Sequence, residues 1–438
     1  MIRTLAKAPS PAALLPDLPR DAEPRLLDPR AADGWGAALD GTTPAHALLG
    51  VFPEVRFRGG REALLEAERW LAQFRGGPPL DALLIGSLAY ELGHEWLSGR
   101  VTPRAEPALP AVDLAGFRAA YLHDPDTNCG RVVGGSARAV ARLEELLRGL
   151  PAPAERGPGP RLGAARSGFT EPDYLSAVRA IQRYIRAGDV YQVNLARRLE
   201  LPAPARAELR RLYQRLADAT GAPFCAYLET PDRTLLSSSP ELFLRSRGAE
   251  VETRPIKGTR PRGRTPAEDA ALQGALVSSA KDRAEHVMIV DLERNDLGRV
   301  CELGSVRVRE LCQPRSFSDV HHLVSAVRGR LCRPSDWLAL LAATFPGGSI
   351  TGAPKLRAMQ IIAELEPVPR DVYTGSIGWI DAAGQVELSI AIRTALAVAG
   401  SLELHLGGGI VADSDPEAEL RETLDKGRGF ARSWDFSL

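Results

Sequence analysis

Two ionisable residues near the middle of the chain, Lys257 and Glu241, have types and surroundings that suit chemistry. Only five of the 55 basic residues are lysines, so arginine carries most of the positive charge. Arginine stays protonated, whereas a desolvated lysine can lose its proton and act as a nucleophile. Lys257 precedes Gly258 and Thr259, a setting in which backbone N–H groups can approach an anion. On residue type alone, two exposed charges at strand ends are the simpler interpretation.

Two pairs of acidic residues stand three positions apart on predicted helices. Asp282 and Glu285 form one pair, and Glu419 and Glu422 form the other, with Lys426 four residues further on. Ordinary contacts explain both pairs, because acidic residues stabilise a first helical turn and Glu422 can pair with Lys426. Mg²⁺ also binds carboxylates that come from separate elements, and it keeps water or substrate oxygens as further ligands. The spacing alone favours ion pairs and leaves a metal site as the alternative.

Three further features are weak signals when taken alone. His322 is the second of two histidines on an apolar, strand-like run, where a buried structural histidine is the simpler interpretation. Arg393 lies on an alternating stretch that predicts a strand, and its planar guanidinium suits a carboxylate. The triplet Gly407-Gly408-Gly409 is typical of a bulge or a tight turn.

These residues lie on a chain whose second part mixes strands and helices. Prolines and glycines crowd residues 151–168, which predicts a linker between an N-terminal region (1–150) and a second region (169–438). The pattern predicts helices from Ser136, from Thr170 and after Asp415-Pro416. It predicts strands over 114–122, 190–201, 223–230, 233–238, 241–246, 373–381, 385–396 and 402–412. Runs of neighbouring strands mixed with helices favour an α+β fold.

Composition excludes several classes of function. The 55 acidic and 55 basic residues balance, which disfavours electrostatic binding to nucleic acid or to an anionic membrane. The five cysteines are scattered and form no CxxC pair, as expected in a reducing cytoplasm. The N-terminus lacks a continuous apolar run of signal-peptide quality. We therefore expect a soluble cytoplasmic protein.

Six motifs that occur together and in order carry a resemblance to a known family. They are ETRPIKGT, KDRAEHVMIVDLERNDLGRV, HHLVSAVRG, FPGGSITGAPKLRAM, IAIRT and GGGIVADSDPEAELRET. The chain resembles the chorismate-using enzymes of the anthranilate synthase component I family, and within them the large subunits of aminodeoxychorismate synthases (para-aminobenzoate synthase component I). The similarity is dense over 168–432 and looser before it. It implies a sandwich of two antiparallel β-sheets with helices outside and the active site between the sheets.

The resemblance also implies roles for individual residues. Glu285 and Glu422, with Glu419 close by, match the positions that hold Mg²⁺ against the ring carboxylate of chorismate. The catalytic residues implied are Lys257, Glu241 and His322. The substrate-binding residues implied are Gly258, Thr259, Ser349, Tyr373, Arg393, Gly407 and Gly409, with Tyr373 and Arg393 on the enolpyruvyl carboxylate.

Two positions distinguish the sister enzymes of this family. Lys257 stands where anthranilate synthases typically carry Ala, and Gln192 stands where isochorismate and salicylate synthases carry the Lys that activates water. The resemblance then implies that Glu241 protonates the departing C4 hydroxyl of chorismate while Lys257 attacks C2. Ammonia would add at C4 and expel the lysine, giving 4-amino-4-deoxychorismate, the precursor of para-aminobenzoate and folate.

The source of ammonia is implied as well. No cysteine here has the surroundings of a glutaminase nucleophile, so a separate glutaminase subunit would supply the ammonia. Two alternatives stay open: the large subunit of an anthranilate synthase, and a non-catalytic scaffold that binds chorismate or a glutaminase.

Overall fold

The structure, a computed structural model, describes residues 2–5, 9–31, 34–35, 46–77, 80–97, 100–102, 104–151, 160–317 and 320–438. Residues 152–159 of the predicted linker lie outside these ranges. The strands are β1 (Ile2–Leu5), β2 (Arg25–Asp28), β3 (Ala47–Gly50), β4 (Val55–Gly59), β5 (Leu83–Leu88), β6 (Val112–Phe117), β7 (Ala120–Asp124), β8 (Cys129–Val133), β9 (Gly163–Ala164), β10 (Gln192–Pro202), β11 (Phe224–Glu229), β12 (Arg233–Ser239), β13 (Leu242–Arg247), β14 (Glu250–Arg254), β15 (Ile256–Pro261), β16 (Arg307–Ser316), β17 (Val320–Arg330), β18 (Gly352–Ala353), β19 (Ser376–Asp381), β20 (Val386–Ile390), β21 (Thr394–Val398), β22 (Ser401–Ile410) and β23 (Phe436–Ser437). The helices are α1 (Pro11–Leu14), α2 (Arg61–Ala72), α3 (Leu92–Trp96), α4 (Ala137–Gly149), α5 (Glu171–Arg186), α6 (Arg206–Thr220), α7 (Pro266–Ser278), α8 (Ala280–Gly298), α9 (Trp337–Thr344), α10 (Lys355–Leu365) and α11 (Pro416–Trp434), with a 3₁₀ turn at Leu15–Asp17.

Side-chain caps fix where the predicted helices begin. The Ser136 and Thr170 hydroxyls accept hydrogen bonds from the N–H groups three residues later, at the starts of α4 and α5. The Asp415 carboxylate does the same for α11, and Pro416 occupies the first helical position. A cap satisfies an N–H that has no partner within the helix, and proline at the first turn loses none. The three predicted starts are confirmed.

Two large sheets dominate the molecule, and neighbouring strands in each are antiparallel. Sheet A has eleven strands in the order β1-β8-β7-β3-β2-β11-β12-β21-β22-β10-β18. Sheet B has ten, running β15-β17-β14-β13-β20-β19-β5-β6-β4, with β16 also pairing with β17. The predicted α+β fold with two antiparallel sheets is confirmed.

Apolar residues of the two sheets meet in a shared core, and two further cores lie under the helices. Leu27 and Leu396 of sheet A pack with Ile85 and Trp379 of sheet B, and all are buried. A second cluster joins sheet A to α4, α6 and α11, and a third joins sheet B to α2, α5, α9 and α10. Burial of this apolar area stabilises the sandwich and leaves the helices outside.

The chain passes between the sheets through short links, and two predicted strands are broken there. The strand predicted over 114–122 divides into β6 of sheet B and β7 of sheet A. The strand predicted over 385–396 divides into β20 of sheet B and β21 of sheet A, with residues 391–393 between them. Both expectations of one continuous strand are therefore wrong. The alternation continues across each link because both sheets bury their strands on the shared core.

Strands from both predicted regions belong to the same sheets. In sheet A, β2 of the N-terminal region pairs with β11, and in sheet B, β5 pairs with β19. The division of the chain at 151–168 stays a prediction. In the described ranges, no helix has the combination of length and apolar character needed to span a bilayer.

Candidate active site

Lys257 lies next to a bulge in the β15–β17 ladder. Lys257 stands opposite Leu323 and Thr259 opposite His322, so the pairing register shifts at Gly258. Gly258 has a φ of +68°, and a Cβ there would lie 2.8 Å from Leu276 Cδ1 of α7. A left-handed residue of this kind is the usual means of inserting one residue into a ladder. The bulge takes Gly258 out of register with β17.

Glu241 lies in the link that carries the chain from β12 in sheet A to β13 in sheet B. Its side chain is buried, and Oε1 accepts hydrogen bonds from Ser349 Oγ at 2.6 Å and from Ile256 N–H at 3.4 Å. Burial raises the pKa of Glu241 to about 7, and the Ser349 hydroxyl and Lys257 partly oppose that rise. A carboxyl group with this pKa can donate a proton near neutral pH.

The pKa of Lys257 shifts in the opposite direction. Burial lowers it, and Lys426 lowers it further, while Glu285, Glu241 and Glu422 act to raise it. Burial therefore favours the neutral amine, the form that can attack carbon. Lys257 lies within electrostatic range of all three of these carboxylates, which come from different parts of the sequence.

His322 connects the bulge to Arg393. Its Nδ1 lies 3.1 Å from both the Gly258 carbonyl oxygen and Thr259 Oγ1, and its Nε2 lies 3.4 Å from Arg393 Nη2. A carbonyl oxygen only accepts, so Nδ1 carries the proton and Nε2 accepts from Arg393. Burial lowers the pKa of His322 to about 3, and Arg393 adds to the effect. The ring is neutral at physiological pH and suits an orienting role.

Arg393 does not lie on a strand, contrary to the sequence expectation. It ends the link between β20 and β21 with a φ of +47°, so its backbone is left-handed. A non-glycine residue in this region is uncommon, and such strain often marks a functional position. The link turns the chain from one sheet to the other.

The two links that carry Glu241 and Arg393 are hydrogen-bonded to each other. Ile390 N–H donates to the Glu241 carbonyl oxygen at 3.0 Å, and Ser238 N–H donates to the Arg393 carbonyl oxygen at 3.0 Å. Ser239 Oγ also donates to the Ile390 carbonyl oxygen at 2.6 Å. These bonds fix the separation of the two links at one edge of the site.

The glycines of β22 leave space that other side chains use. A Cβ on Gly409 would lie 3.0 Å from the Gln192 side-chain amide and 3.3 Å from Lys257 Nζ. A Cβ on Gly407 would lie 2.8 Å from Tyr373 Oη. Only glycine allows the lysine and the tyrosine to approach the strand so closely. Tyr373 is buried and stacks on His405, and burial raises its pKa to about 12.

Carboxylates of α11 lie against the same strand, and Glu285 of α8 interacts electrostatically with one of them, Glu422. A Cβ on Gly408 would lie 3.3 Å from Glu419 Oε2 and 3.6 Å from Glu422 Oε1. Glu422 is exposed and pairs with Lys426 at 2.7 Å, which confirms the predicted ion pair and lowers the pKa of Glu422. Burial raises the pKa values of Glu285 and Glu419, and repulsion from Glu422 adds to both. The arrangement concentrates negative charge.

In the described part of the chain, no three His, Cys, Asp or Glu side chains are grouped closely enough to hold a metal ion by themselves. Hard oxygen donors from two helices nevertheless suit Mg²⁺, which often takes its other ligands from water and substrate. The carboxylates fit Mg²⁺ as a partial ligand set.

Two residues of the site were not singled out for a role by sequence reasoning. Lys426 was assigned only an ion pair, but its Nζ also donates to the Gly407 carbonyl oxygen at 2.9 Å. Asn194 lies on β10 opposite Gly409, two residues after Gln192, and its side chain is buried. Polar residues at alternate positions of an apolar strand were the signal available in YQVNLA.

Comparisons with known proteins identify the family. The sequence profile of the family described as chorismate binding enzyme matches residues 38–432. The chain is 40% identical over 380 residues to anthranilate synthase component 1 of Streptomyces coelicolor, covering 82% of this chain and 74% of that protein. It is 44% identical over 300 residues to aminodeoxychorismate synthase component 1 of Bacillus subtilis, covering 68% of this chain and 63% of that protein.

A solved structure shows the same architecture. Anthranilate synthase component I from Streptococcus pneumoniae superposes with a TM-score of 0.79 at 27% identity, over 90% of this chain and 93% of that one. The fold, the profile match over most of the length and the two relatives lead to one assignment. The chain belongs to the family of chorismate binding enzymes.

Proposed function

We propose that the protein is an aminodeoxychorismate synthase large subunit, which aminates chorismate at C4 to give 4-amino-4-deoxychorismate. The observation that carries the proposal is that Lys257 and Glu241 are buried and influence each other electrostatically. Burial favours the neutral amine of one and the protonated carboxyl of the other. Attack by an amine and departure of a hydroxyl group need those two forms.

Anion-binding groups would hold the substrate between the sheets. Glu285, Glu419 and Glu422 would hold Mg²⁺, which when bound supplies positive charge to the ring carboxylate. The backbone at Gly258 and Thr259 would contact the same carboxylate, next to the register shift.

The enolpyruvyl end of the substrate would bind to a guanidinium group and a phenol. Arg393 and Tyr373 would hold the enolpyruvyl carboxylate, and His322 orients Arg393 through Nε2. The backbone of Gly407 and Gly409 would contact a substrate carboxylate, since these residues carry no side chain beside Tyr373 and Lys257. Ser349 would act through Glu241, whose Oε1 accepts a hydrogen bond from the Ser349 hydroxyl.

In the first step, Lys257 would attack C2 of the ring while Glu241 gives a proton to the C4 hydroxyl. The C2–N bond forms, the two ring double bonds shift from C1=C2 and C5=C6 to C1=C6 and C4=C5, and the C4–O bond breaks to release water. The amine loses a proton after it has formed the bond. Lys257 then holds the ring covalently.

In the second step, ammonia would add to C4 and expel the lysine. The C4–N bond forms, both double bonds return to C5=C6 and C1=C2, and the C2–N bond breaks. The added nitrogen loses a proton and the lysine nitrogen gains one, so Lys257 leaves as the neutral amine. The product keeps its enolpyruvyl group. Gln192 carries an amide beside Lys257 Nζ and offers no base to activate water.

Product analysis with variants of Lys257 tests the proposal. Purified protein is incubated with chorismate, Mg²⁺ and ammonium, beside Lys257→Ala and the charge-matched Lys257→Arg. We expect 4-amino-4-deoxychorismate from the unsubstituted protein and a loss of at least about 100-fold in both variants, because neither supplies a nucleophile. Without ammonium, mass spectrometry should find chorismate less one water on the Lys257 peptide.

The competing assignments give different results. Anthranilate as the main product of the unsubstituted protein would identify an anthranilate synthase instead, the activity named for the Streptomyces relative. A protein that binds chorismate without turnover would be the scaffold alternative.

We further propose that the ammonia comes from a partner glutaminase and that the protein works in the cytoplasm. The name "component 1" of the Bacillus relative supports a second component. All five cysteines are unpaired, which supports a reducing compartment.

A further inference from the structure

Two buried side-chain amides on β10 have polar atoms that make no hydrogen bond. Gln192 is 0% exposed and Asn194 is 5% exposed. Gln192 Nε2 and Oε1 and Asn194 Nδ2 have no hydrogen-bond partner among the described residues. A buried amide without a partner costs free energy, so a native structure that keeps one requires an explanation.

The strand register places Asn194 between the two ends of the proposed substrate site. Gln192, Asn194 and Ala196 occupy alternate positions of β10, so their side chains share one face. The strand that pairs with β10 here is β22. A Cβ on its Gly409 would lie against Gln192 and Lys257. A Cβ on its Gly407 would lie against Ala196 and Tyr373. Asn194 therefore lies between the lysine end and the tyrosine end.

The backbone on both sides of the Asn194 side chain is fixed. Asn194 N–H donates to the Thr351 carbonyl oxygen at 2.8 Å, and Arg370 Nη2 donates to the Asn194 carbonyl oxygen at 2.8 Å. Arg370 is itself buried and paired with Glu366 at 2.7 Å. These contacts hold the Asn194 amide in place before any ligand arrives.

The phenol of Tyr373 is a neighbour of this amide. Burial raises the pKa of Tyr373, and the Asn194 side chain acts to lower it as a hydrogen-bonding neighbour of the phenol, while Asn194 Nδ2 makes no hydrogen bond of normal geometry with a described residue. The Asn194 donor group therefore faces the tyrosine end of the site, where the enolpyruvyl carboxylate would bind.

We propose that Asn194 binds the substrate by donating a hydrogen bond from Nδ2 to the enolpyruvyl group of chorismate. The inference rests on the proposed function. Lys257 would attack C2, and the enolpyruvyl group is attached to the adjacent carbon, C3. Its ether and carboxylate oxygens only accept hydrogen bonds, so a buried N–H donor at this position suits them.

A binding experiment with two ligands tests the inference. Chorismate is compared with its analogue that carries a free hydroxyl at C3 and lacks the enolpyruvyl group, both by calorimetric titration with Mg²⁺ present. The full-length protein carries Lys257→Ala, so that no covalent adduct forms. Asn194→Leu removes the hydrogen-bonding groups at similar volume, and Asn194→Asp keeps the shape but adds a negative charge.

We expect Asn194→Leu to weaken chorismate binding about tenfold, the effect of one hydrogen bond to a charged group, and to leave binding of the analogue unchanged. Asn194→Asp should weaken chorismate binding further because two carboxylates would face each other. Equal losses for both ligands would overturn the inference, since they would show a structural role. So would unchanged chorismate binding in both variants. Binding is measured without ammonia, so the result does not depend on which amine product the enzyme forms.

Discussion

Burial acts on Lys257 and Glu241 in the same chemical sense, because it favours the uncharged form of each group. The activity should therefore rise with pH as Lys257 loses its proton. It should fall again near pH 7, where Glu241 loses the proton that it must donate. Each group opposes the shift of the other, since a charged lysine stabilises the carboxylate. Because the two groups interact, the apparent pKa values of the acid and alkaline limbs of the pH–activity profile are properties of the pair, not of either residue alone.

The Ser349→Ala variant changes one limb of that profile. Ser349 Oγ donates to Glu241 Oε1 and so lowers the pKa of Glu241. Its removal should raise that pKa and move the alkaline limb of kcat/KM upward by about one pH unit. Ser389→Ala is the control, because the Ser389 hydroxyl is also buried but donates to the Ile377 carbonyl oxygen. An alkaline limb that stays in place in Ser349→Ala would show that Glu241 is not the proton donor.

At the scale of elements, the sequence predicted the helices better than the links between sheets. The starts of α5 and α11 follow from local caps at Thr170 and Asp415, which act within one turn. The position of Arg393 depends on a change of sheet that no local pattern marks. The same is true of Glu241, which the sequence placed only at the head of a strand. Long-range strand pairing decides where both links lie.

The candidate site could be predicted in part. The motifs identified which residues to examine, and the predicted pair Glu422–Lys426 is present. His322 donates a hydrogen bond to the Gly258 carbonyl oxygen and accepts one from Arg393, and these bonds join residues far apart in sequence. The spacing of residues along the sequence contains no information about such long-range contacts, so they could not be predicted from it.

The bulge of β15 gives a prediction at this scale. Gly258→Ala should destabilise the protein by about 1 kcal/mol, because its φ of +68° suits glycine, and it should also reduce amination sharply. Gly248→Ala is the matched control, since Gly248 has a φ of +53° with no atom within 4 Å of its Cβ position. Thermal unfolding and steady-state kinetics check both. We expect similar stability losses and an activity loss in Gly258→Ala alone; normal kinetics there would show that the bulge does not position the site.

At the scale of the whole molecule, each large sheet combines strands from residues 1–150 with strands from residues 169–438. Without residues 1–150, β11 would lose its partner β2, and β19 would lose β5. All residues of β11 and β19 are buried, so each would become an exposed apolar edge. Exposed edges of this kind promote association.

A fragment of residues 160–438 tests this dependence. We expect it to aggregate when expressed alone, and co-expression with residues 1–150 should recover soluble material. Size-exclusion chromatography and circular dichroism measure both. A monomeric fragment with native secondary structure would contradict the prediction and would favour an independent second region.

The hydrogen bonds between the Glu241 link and the Arg393 link have a consequence for how this family can diversify. A mutation that displaces Glu241 should also displace Arg393, because backbone hydrogen bonds join the two links. Lys257 and Gly258 lie on a different strand, β15, which contacts the links through side chains: Ile256 N–H donates to the Glu241 carboxylate, and His322 lies between Gly258 and Arg393. We therefore expect the reaction to change more readily through exchange of side chains on β15 and β10 than through changes in the two paired links.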